Sequence, residues 1–269
     1  MKLLKLLVSD DPGVIPLGGM INPEPVLLFA SGPSGSGKST LIQKAKECRR
    51  NLGVSRSTTT RLPRIKKTGS AQPEMEVSGV DYDFVDDHTF ERMEAMGEFV
   101  ECQPVHGRYY GTPWKSIKEQ WDKGLSIIGD IDVQGVRKLM RLDHEKIEER
   151  LATVFISAPS VARMQTQMLA RDRNFPFEEQ LKRIETAKEE IPYAHLFDHV
   201  IVNDVFEDSL NEFVEYVDVL TAPMMFQQRR ERFLKLRERR QAALDFLQHQ
   251  FDWNVVPHWA TQSPSAGYA

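Results

Sequence analysis

Cysteine is nearly absent: Cys48 and Cys102 are the only two among 269 residues. That excludes a disulfide framework and a cysteine-built metal cluster, and it suits a reducing compartment. Apolar runs of membrane-spanning length are also lacking. The opening MKLLKLLVSDD is broken by Asp10 and Asp11 too soon for a secretory leader, and it has no arginine of the kind transit peptides carry. Neither sign of charge is in large excess. With 35 basic and 39 acidic side chains the net charge is -4, so the protein as a whole is no polyanion binder and any anion site must be local. No internal repeat is visible. The expectation is a cytoplasmic protein with neither a membrane nor a nucleic-acid partner.

What is present is an ordinary globular composition, 41% hydrophobic, with enough apolar mass for a core. Residues 1–25, with Pro12, Gly13, Pro16, Gly18, Gly19 and Pro23, read as a loop-rich N-terminal extension. Four short apolar runs read as buried strands: VLLFAS from Val26, SIIGD from Ser126, TVFISAPS from Thr153 and HVIVND from His199. Helical stretches separate them, which predicts an α/β fold with a mainly parallel sheet. Residues 57–112 break that rhythm and are expected to form an inserted lobe within a domain spanning 26–220. Residues 221–269 open with the basic stretch FQQRRERFLKLRERR and end in a polar tail. Phe226, Phe233, Leu236, Leu244, Leu247 and Phe251 fall near helical spacing there, so this part is expected to pack on the core or on a second subunit.

The segment GPSGSGKST runs from Gly32 through Pro33, Ser34, Gly35, Ser36, Gly37, Lys38 and Ser39 to Thr40. An apolar strand precedes it and a helix follows, which is the context a phosphate-binding loop needs. Glycines let the backbone wrap an anion with its amides turned inward. The helix N-terminus adds a favourable dipole. Lys38 is placed to reach the β- and γ-phosphates, and Ser39 to offer a hydroxyl to Mg²⁺. The loop implies a nucleoside triphosphate but not its fate, since GTPases, motors and kinases share it.

Residues 57–64 read STTTRLPR, with Arg61 and Arg64 close behind a row of hydroxyls. Guanidinium forks suit phosphate oxygens, yet two arginines in a loop are by themselves an ordinary solvated surface. They do not stand alone. GPSGSGKST, STTTRLPR, GVDYDF from Gly79, GEFVE from Gly97, HGRYYGT from His106, DIDVQG from Asp130, APS from Ala158 and IVND from Ile201 follow in order. Together, over roughly Val26 to Leu220, they resemble the guanylate kinase family. The resemblance implies a phosphate-loop NTPase fold whose parallel sheet carries a GMP-binding lobe at 57–112 and a helical lid at 160–185. It implies Mg²⁺-dependent transfer of the ATP γ-phosphoryl group to GMP or dGMP, by a monomer or homodimer. It places Ser57, Arg61, Arg64, Tyr82 and Tyr110 on the acceptor's phosphate, and Glu101, Thr112 and Asp132 on the guanine. It gives Asp130 and Ser39 to Mg²⁺, partly through water. Lys38, Arg171 and Arg183 fall to the transferring group and Asn203 to the neighbourhood of the adenine.

The residue chemistry agrees. Guanine offers N1–H and the 2-amino group as adjacent donors, and one carboxylate has two oxygens to accept both. An acceptor phosphate is already anionic, so the absence of a Ser-His or Cys-His arrangement is no obstacle. Two rival readings stay open. A non-catalytic scaffold module of the same fold typically has a degraded phosphate loop, whereas Gly32, Gly37, Lys38 and Ser39 are intact here; a kinase for another monophosphate would share most of the motifs. The polar segment 65–78 is longer than usual in the family. Every matched motif precedes Leu220, so removal of 225–269 is expected to spare the chemical step. One departure stands in the lid: the family carries an additional arginine four residues before Arg171, and Gln167 is here instead, with Arg163 and Arg173 nearby. Gln167→Arg is therefore expected to lower KM for ATP with little change in KM for GMP. Steady-state assays varying each substrate would check it, and an unchanged or raised ATP KM would mean another cation already fills the place.

Overall fold

The computed structural model describes residue 7 and residues 20–21, 23–53, 55–64, 74–105, 107–140, 150–171 and 176–251. Strand β1 (Met20–Ile21) precedes β2 (Leu27–Ser31), and α1 (Lys38–Cys48) follows the glycine loop. Three short strands come next, β3 (Leu52–Gly53), β4 (Thr58–Thr59) and β5 (Asp83–Phe84). Then come α2 (Asp87–Ala95), the hairpin of β6 (Phe99–Val105) and β7 (Arg108–Pro113), and α3 (Trp114–Trp121). The chain continues as β8 (Ser126–Asp130), α4 (Val133–Leu139), β9 (Leu151–Ser157), α5 (Val161–Arg171) and α6 (Phe177–Glu190). A 3-10 turn (Ile191–Leu196) leads into β10 (His199–Val202), α7 (Phe206–Thr221), β11 (Met224–Met225) and α8 (Phe226–Phe251).

Five strands form the central sheet in the order β10-β9-β2-β8-β3, and every pairing is parallel. Successive side chains of a strand point to opposite faces. Accordingly Leu27 and Phe29 join one core cluster, while Val26, Leu28 and Ala30 join the other. Helices cover both faces, which is why the strand reads as a continuous apolar run rather than an alternation. The lobe is a separate four-stranded sheet, β5-β4-β7-β6, antiparallel except where β4 meets β5. No helix among the described residues is long and apolar enough to cross a membrane.

The C-terminal helix packs on its own core. Phe226, Phe233 and Leu236 enter one cluster; Leu244 and Leu247 enter the other. α8 thus passes the edge strand β10 and covers an edge that would otherwise offer unpaired backbone. Arg229 in this basic stretch is fully buried, and it donates to the carbonyls of Val219 and Ala222 at the end of α7. A cation there satisfies terminal carbonyls and faces the negative end of the helix dipole. β11 pairs antiparallel with β1, tying the two extensions together. The basic residues conceal an apolar stripe that completes both core clusters, so removal of 225–269 would uncover them. Leu247→Ala, at a fully buried position, should lower stability by about 2–5 kcal/mol in urea unfolding. A loss below about 1 kcal/mol would mean the helix contributes little to the core.

Candidate active site

The phosphate loop begins where β2 ends. Gly32 has φ of 140°, and a Cβ there would lie 2.0 Å from the carbonyl oxygen of Ile156 on the neighbouring strand. Gly37 has φ of 80°, and its Cβ would lie 2.3 Å from the amide nitrogen of Asn203. Both positions exclude a side chain by backbone conformation and by space. No side chain caps Gly37 at the start of α1, so the first amides of that helix keep their donor capacity for an anion. Within the loop, Ser36 N donates to Pro33 O at 3.2 Å, and Gly35 lies against the backbone of Met164. Thr40 is exposed in the first turn of α1.

Two side chains from distant elements hold this loop. Arg183 of α6 donates to Ser34 Oγ at 2.9 Å, so an arginine from the segment expected to be the lid touches it. Asn203 is buried and donates from Nδ2 to Ser36 O at 2.8 Å. Its amide thus braces the loop backbone, a task beyond the one expected of it near the adenine. Gln167 lies over the loop too, with Oε1 3.4 Å from where a Cβ on Gly37 would be. Arg171 closes α5, and its side chain lies outside the described residues, as does Arg173.

Asp130 ends β8 beside the loop, because β2 and β8 are paired with Ala30 opposite Asp130. Lys38 Nζ reaches Asp130 Oδ1 at 2.6 Å, and Ser39 Oγ donates to Asp130 Oδ2 at 3.4 Å. Serine and aspartate oxygens side by side are the hard donors Mg²⁺ accepts. Among the described residues no group of three or more His, Cys, Asp and Glu could hold a metal ion.

In the lobe, Arg61 is buried at 7% exposure. It grips Glu76 with Nη1 at 2.5 Å and Nη2 at 2.8 Å, and its guanidinium lies 4.8 Å above the Tyr82 ring. Tyr110 also acts to raise the Arg61 pKa, and Tyr82 and Tyr110 meet edge to face at 6.2 Å. Glu76 raises the Arg61 pKa, and Arg61 in turn lowers that of Glu76. Glu76 Oε2 further accepts from the backbone N–H of Arg64, which is exposed. Ser57 is half-buried, and its carbonyl accepts from Asp83 N at 2.9 Å. Arg61, Tyr82 and Tyr110 are thus drawn together around one point, with Glu76 as a partner that sequence patterns did not single out. Its own motif signal is absent, because it follows a polar stretch with no periodicity.

At the other end of the lobe the β6–β7 register shifts between Phe99 and Glu101. Such an irregularity re-aims a side chain. Thr112 Oγ1 donates to Glu101 Oε1 at 2.6 Å. Burial pushes the Glu101 pKa up, Thr112 opposes this, and the charge of Asp132 adds to it. Asp132 caps α4 by accepting from Gly135 N at 2.6 Å. Gln103 lies two residues beyond Glu101 on β6. With its amide nitrogen turned to the carboxylate, as the hydrogen-bond network requires, it reaches Asp132 Oδ1 at 2.9 Å and Oδ2 at 2.5 Å. Glu190, the last residue of α6, is pushed up to about 7 by burial; Lys38 opposes that shift, and Asp132 and Glu189 add to it. The charges of Lys38 and Asp132 thus act on Glu190 in opposite senses, and Asp132 also acts on Glu101. Neither Gln103 nor Glu190 carries a pattern in the sequence: one is an amide in a strand, the other ends a charged helix.

Comparison with known proteins gives the family and the fold. The family described as guanylate kinase matches residues 24–220. Guanylate kinase of Carboxydothermus hydrogenoformans is 36% identical over 188 residues, covering 70% of this chain and 84% of the relative. Guanylate kinase of Thermus thermophilus is 35% identical over 219 residues, covering 81% of this chain and 91% of that protein. The crystal structure of guanylate kinase from Anaplasma phagocytophilum superimposes with a TM-score of 0.54 at 29% identity, covering 76% of this chain and 89% of its own.

The Glu190 shift has a consequence for stability. A carboxyl whose pKa is raised by folding favours the protonated form, so the unfolded chain ionises first as pH rises. Its contribution is full below the ordinary value of 4.5 and is lost as pH rises through about 7. Glu190→Gln should therefore melt like the wild type near pH 4 and higher than the wild type at about pH 8. Thermal unfolding of the nucleotide-free protein across that range measures this, and parallel curves would contradict it.

Proposed function

Since the chain belongs to the guanylate kinase family, we propose that it transfers the γ-phosphoryl group of ATP to GMP or dGMP, with Mg²⁺ bound, giving ADP and GDP. The observation that carries this reading is that one fold holds an intact phosphate loop, with Lys38 on Asp130, and a partly buried lobe carboxylate, Glu101, on Thr112. It joins a triphosphate loop to a site for a base. The domain proposed for the chemistry is 26–220, with the acceptor lobe at 57–112 and the lid at 160–185. The protein acts in the cytoplasm on nucleotides, as a monomer or homodimer.

The triphosphate rests on the amides at the start of α1 and on Lys38, whose present partner Asp130 is free to turn to the ion. Ser39 and Asp130 would hold Mg²⁺, partly through water, and the ion would supply neutralisation of charge on the donor's phosphate oxygens. Arg61, Arg64, Tyr82, Tyr110 and Ser57 hold the acceptor's phosphate. Ionised Glu101 accepts guanine N1–H and the 2-amino group, and Thr112 and the Gln103–Asp132 pair complete the base contacts. An oxygen of the acceptor phosphate then attacks the γ-phosphorus, and the bond to the β-phosphate oxygen breaks. No proton need be removed from the attacking oxygen. Catalysis is positioning and charge stabilisation by Lys38, Arg183 and Arg171, with water kept out. Adenine would set its N1 lone pair against Glu101 and leave the carboxylate unpaired.

A coupled assay with ATP and a panel of GMP, dGMP, IMP, AMP and UMP tests the reading directly. GMP should be preferred to AMP by a factor on the order of 10⁴; equal use of both would remove the base assignment. Lys38→Ala should keep the fold and lose on the order of 10²-fold or more in kcat, and near-wild-type GDP formation would remove the kinase reading. Glu101→Gln keeps the shape but presents a donor where an acceptor is needed. It should raise KM for GMP by roughly tenfold or more and leave KM for ATP unchanged.

A further inference from the structure

Helix α8 lies beyond the matched residues 24–220, yet it packs on the segment that carries both side chains holding the phosphate loop. One is Arg183 of α6, on Ser34. The other is Asn203, just past β10, on Ser36. Between them the chain runs through the 3-10 turn Ile191–Leu196 and then β10. Arg240, midway along α8, donates from Nε to the carbonyl of Phe197 at 2.9 Å and from Nη2 to the carbonyl of His195 at 2.8 Å. Both carbonyls belong to the junction of turn and strand. Within the same junction, Asp198 accepts from the backbone N–H and the hydroxyl of Thr153 on β9, each at 2.9 Å. The junction is therefore pinned twice, to the sheet by Asp198 and to α8 by Arg240. Leu244 and Leu247 continue the contact in the cluster that holds Ile191, Tyr193, Ala194 and Phe197.

A guanidinium suits this task better than an ammonium. Its planar fork takes two carbonyls at once and so fixes the orientation of the junction as well as its position. α6 ends at Glu190, where the turn that leads to this junction begins, and where it ends determines where Arg183 meets the loop. We propose that Arg240 is a positioning residue for the phosphoryl donor: by locking the turn-to-strand junction it sets Arg183 and Asn203 against the phosphate loop. This makes the C-terminal helix a working part of the donor site, and it rests on the reading that the loop binds ATP.

The test is steady-state kinetics on the full chain with each substrate varied in turn. Arg240→Ala should lower kcat/KM for ATP about tenfold, because small displacements of positioning groups are costly in rate, with KM for GMP unchanged. Arg240→Lys, which keeps the charge and can reach one carbonyl, should recover part of the loss. Arg239→Ala breaks a surface pair between α8 and Glu215 of α7 at 2.6 Å and should change neither constant. A melting temperature lowered with kcat and ATP KM unaltered would overturn the proposal, as would equal losses for both substrates. If Arg240→Ala does not fold, Arg240→Lys decides alone, and an unshifted ATP kcat/KM overturns the role. Wild-type protein that forms no GDP from ATP and GMP would refute the function itself, a result separate from any of these.

Discussion

At Gly32 the chain leaves the central strand so close to β9 that a methyl group in place of hydrogen would collide with the carbonyl of Ile156. The contact fixes where the phosphate loop starts, and the loop's neighbours follow from the strand order. β2 stands between β8 and β9, so Asp130 flanks the loop on one side and Asn203, one strand beyond β9, braces it on the other. In an open parallel sheet ligands gather outside the carboxyl ends of the strands. Here that location follows from a backbone contact only glycine permits.

The lobe answers a different problem, how to bury charge before a substrate arrives. Arg61 and Glu76 neutralise each other, which avoids leaving a buried guanidinium unpaired. Glu101 has no such cation gripping it among the described residues. It shares a hydrogen bond with Thr112 and is raised by burial and by Asp132. On the function proposed above, guanine would supply two donors where the protein supplies one, so the substrate would satisfy a group that the fold leaves under-satisfied. That asymmetry is how a polar site rejects a base lacking those donors.

Much of this was readable in the sequence where backbone chemistry dictates residue type. The phosphate loop is legible because tight wrapping demands glycines at set spacing, and the buried strands because two covered faces produce unbroken apolar runs. Glu101 is legible only through the run of family segments around it, since a lone glutamate in a strand looks like a solvent-facing charge. Glu76 and Gln103 are not legible, because each gains meaning from a partner far along the chain. Arg229 and Arg240 are concealed more deeply. Arginines in a basic stretch read as solvated, and nothing local says that one is fully buried on the carbonyls of α7 or that the other reaches across to the turn before β10.

The order in which the chain is made adds a consequence to the packing of α8. During synthesis β10 emerges with its outer edge bare, and it stays so until the last described helix has cleared the ribosome. β1 emerges near the start but must wait for Met224 and Met225 of its partner β11. Throughout that interval an apolar parallel sheet with an open edge is exposed to neighbouring nascent chains, the situation in which strands pair wrongly and aggregate. The lobe of β4 to β7 can assemble early in synthesis, whereas the closing of the sheet and the joining of the two extensions must wait for α8 and β11.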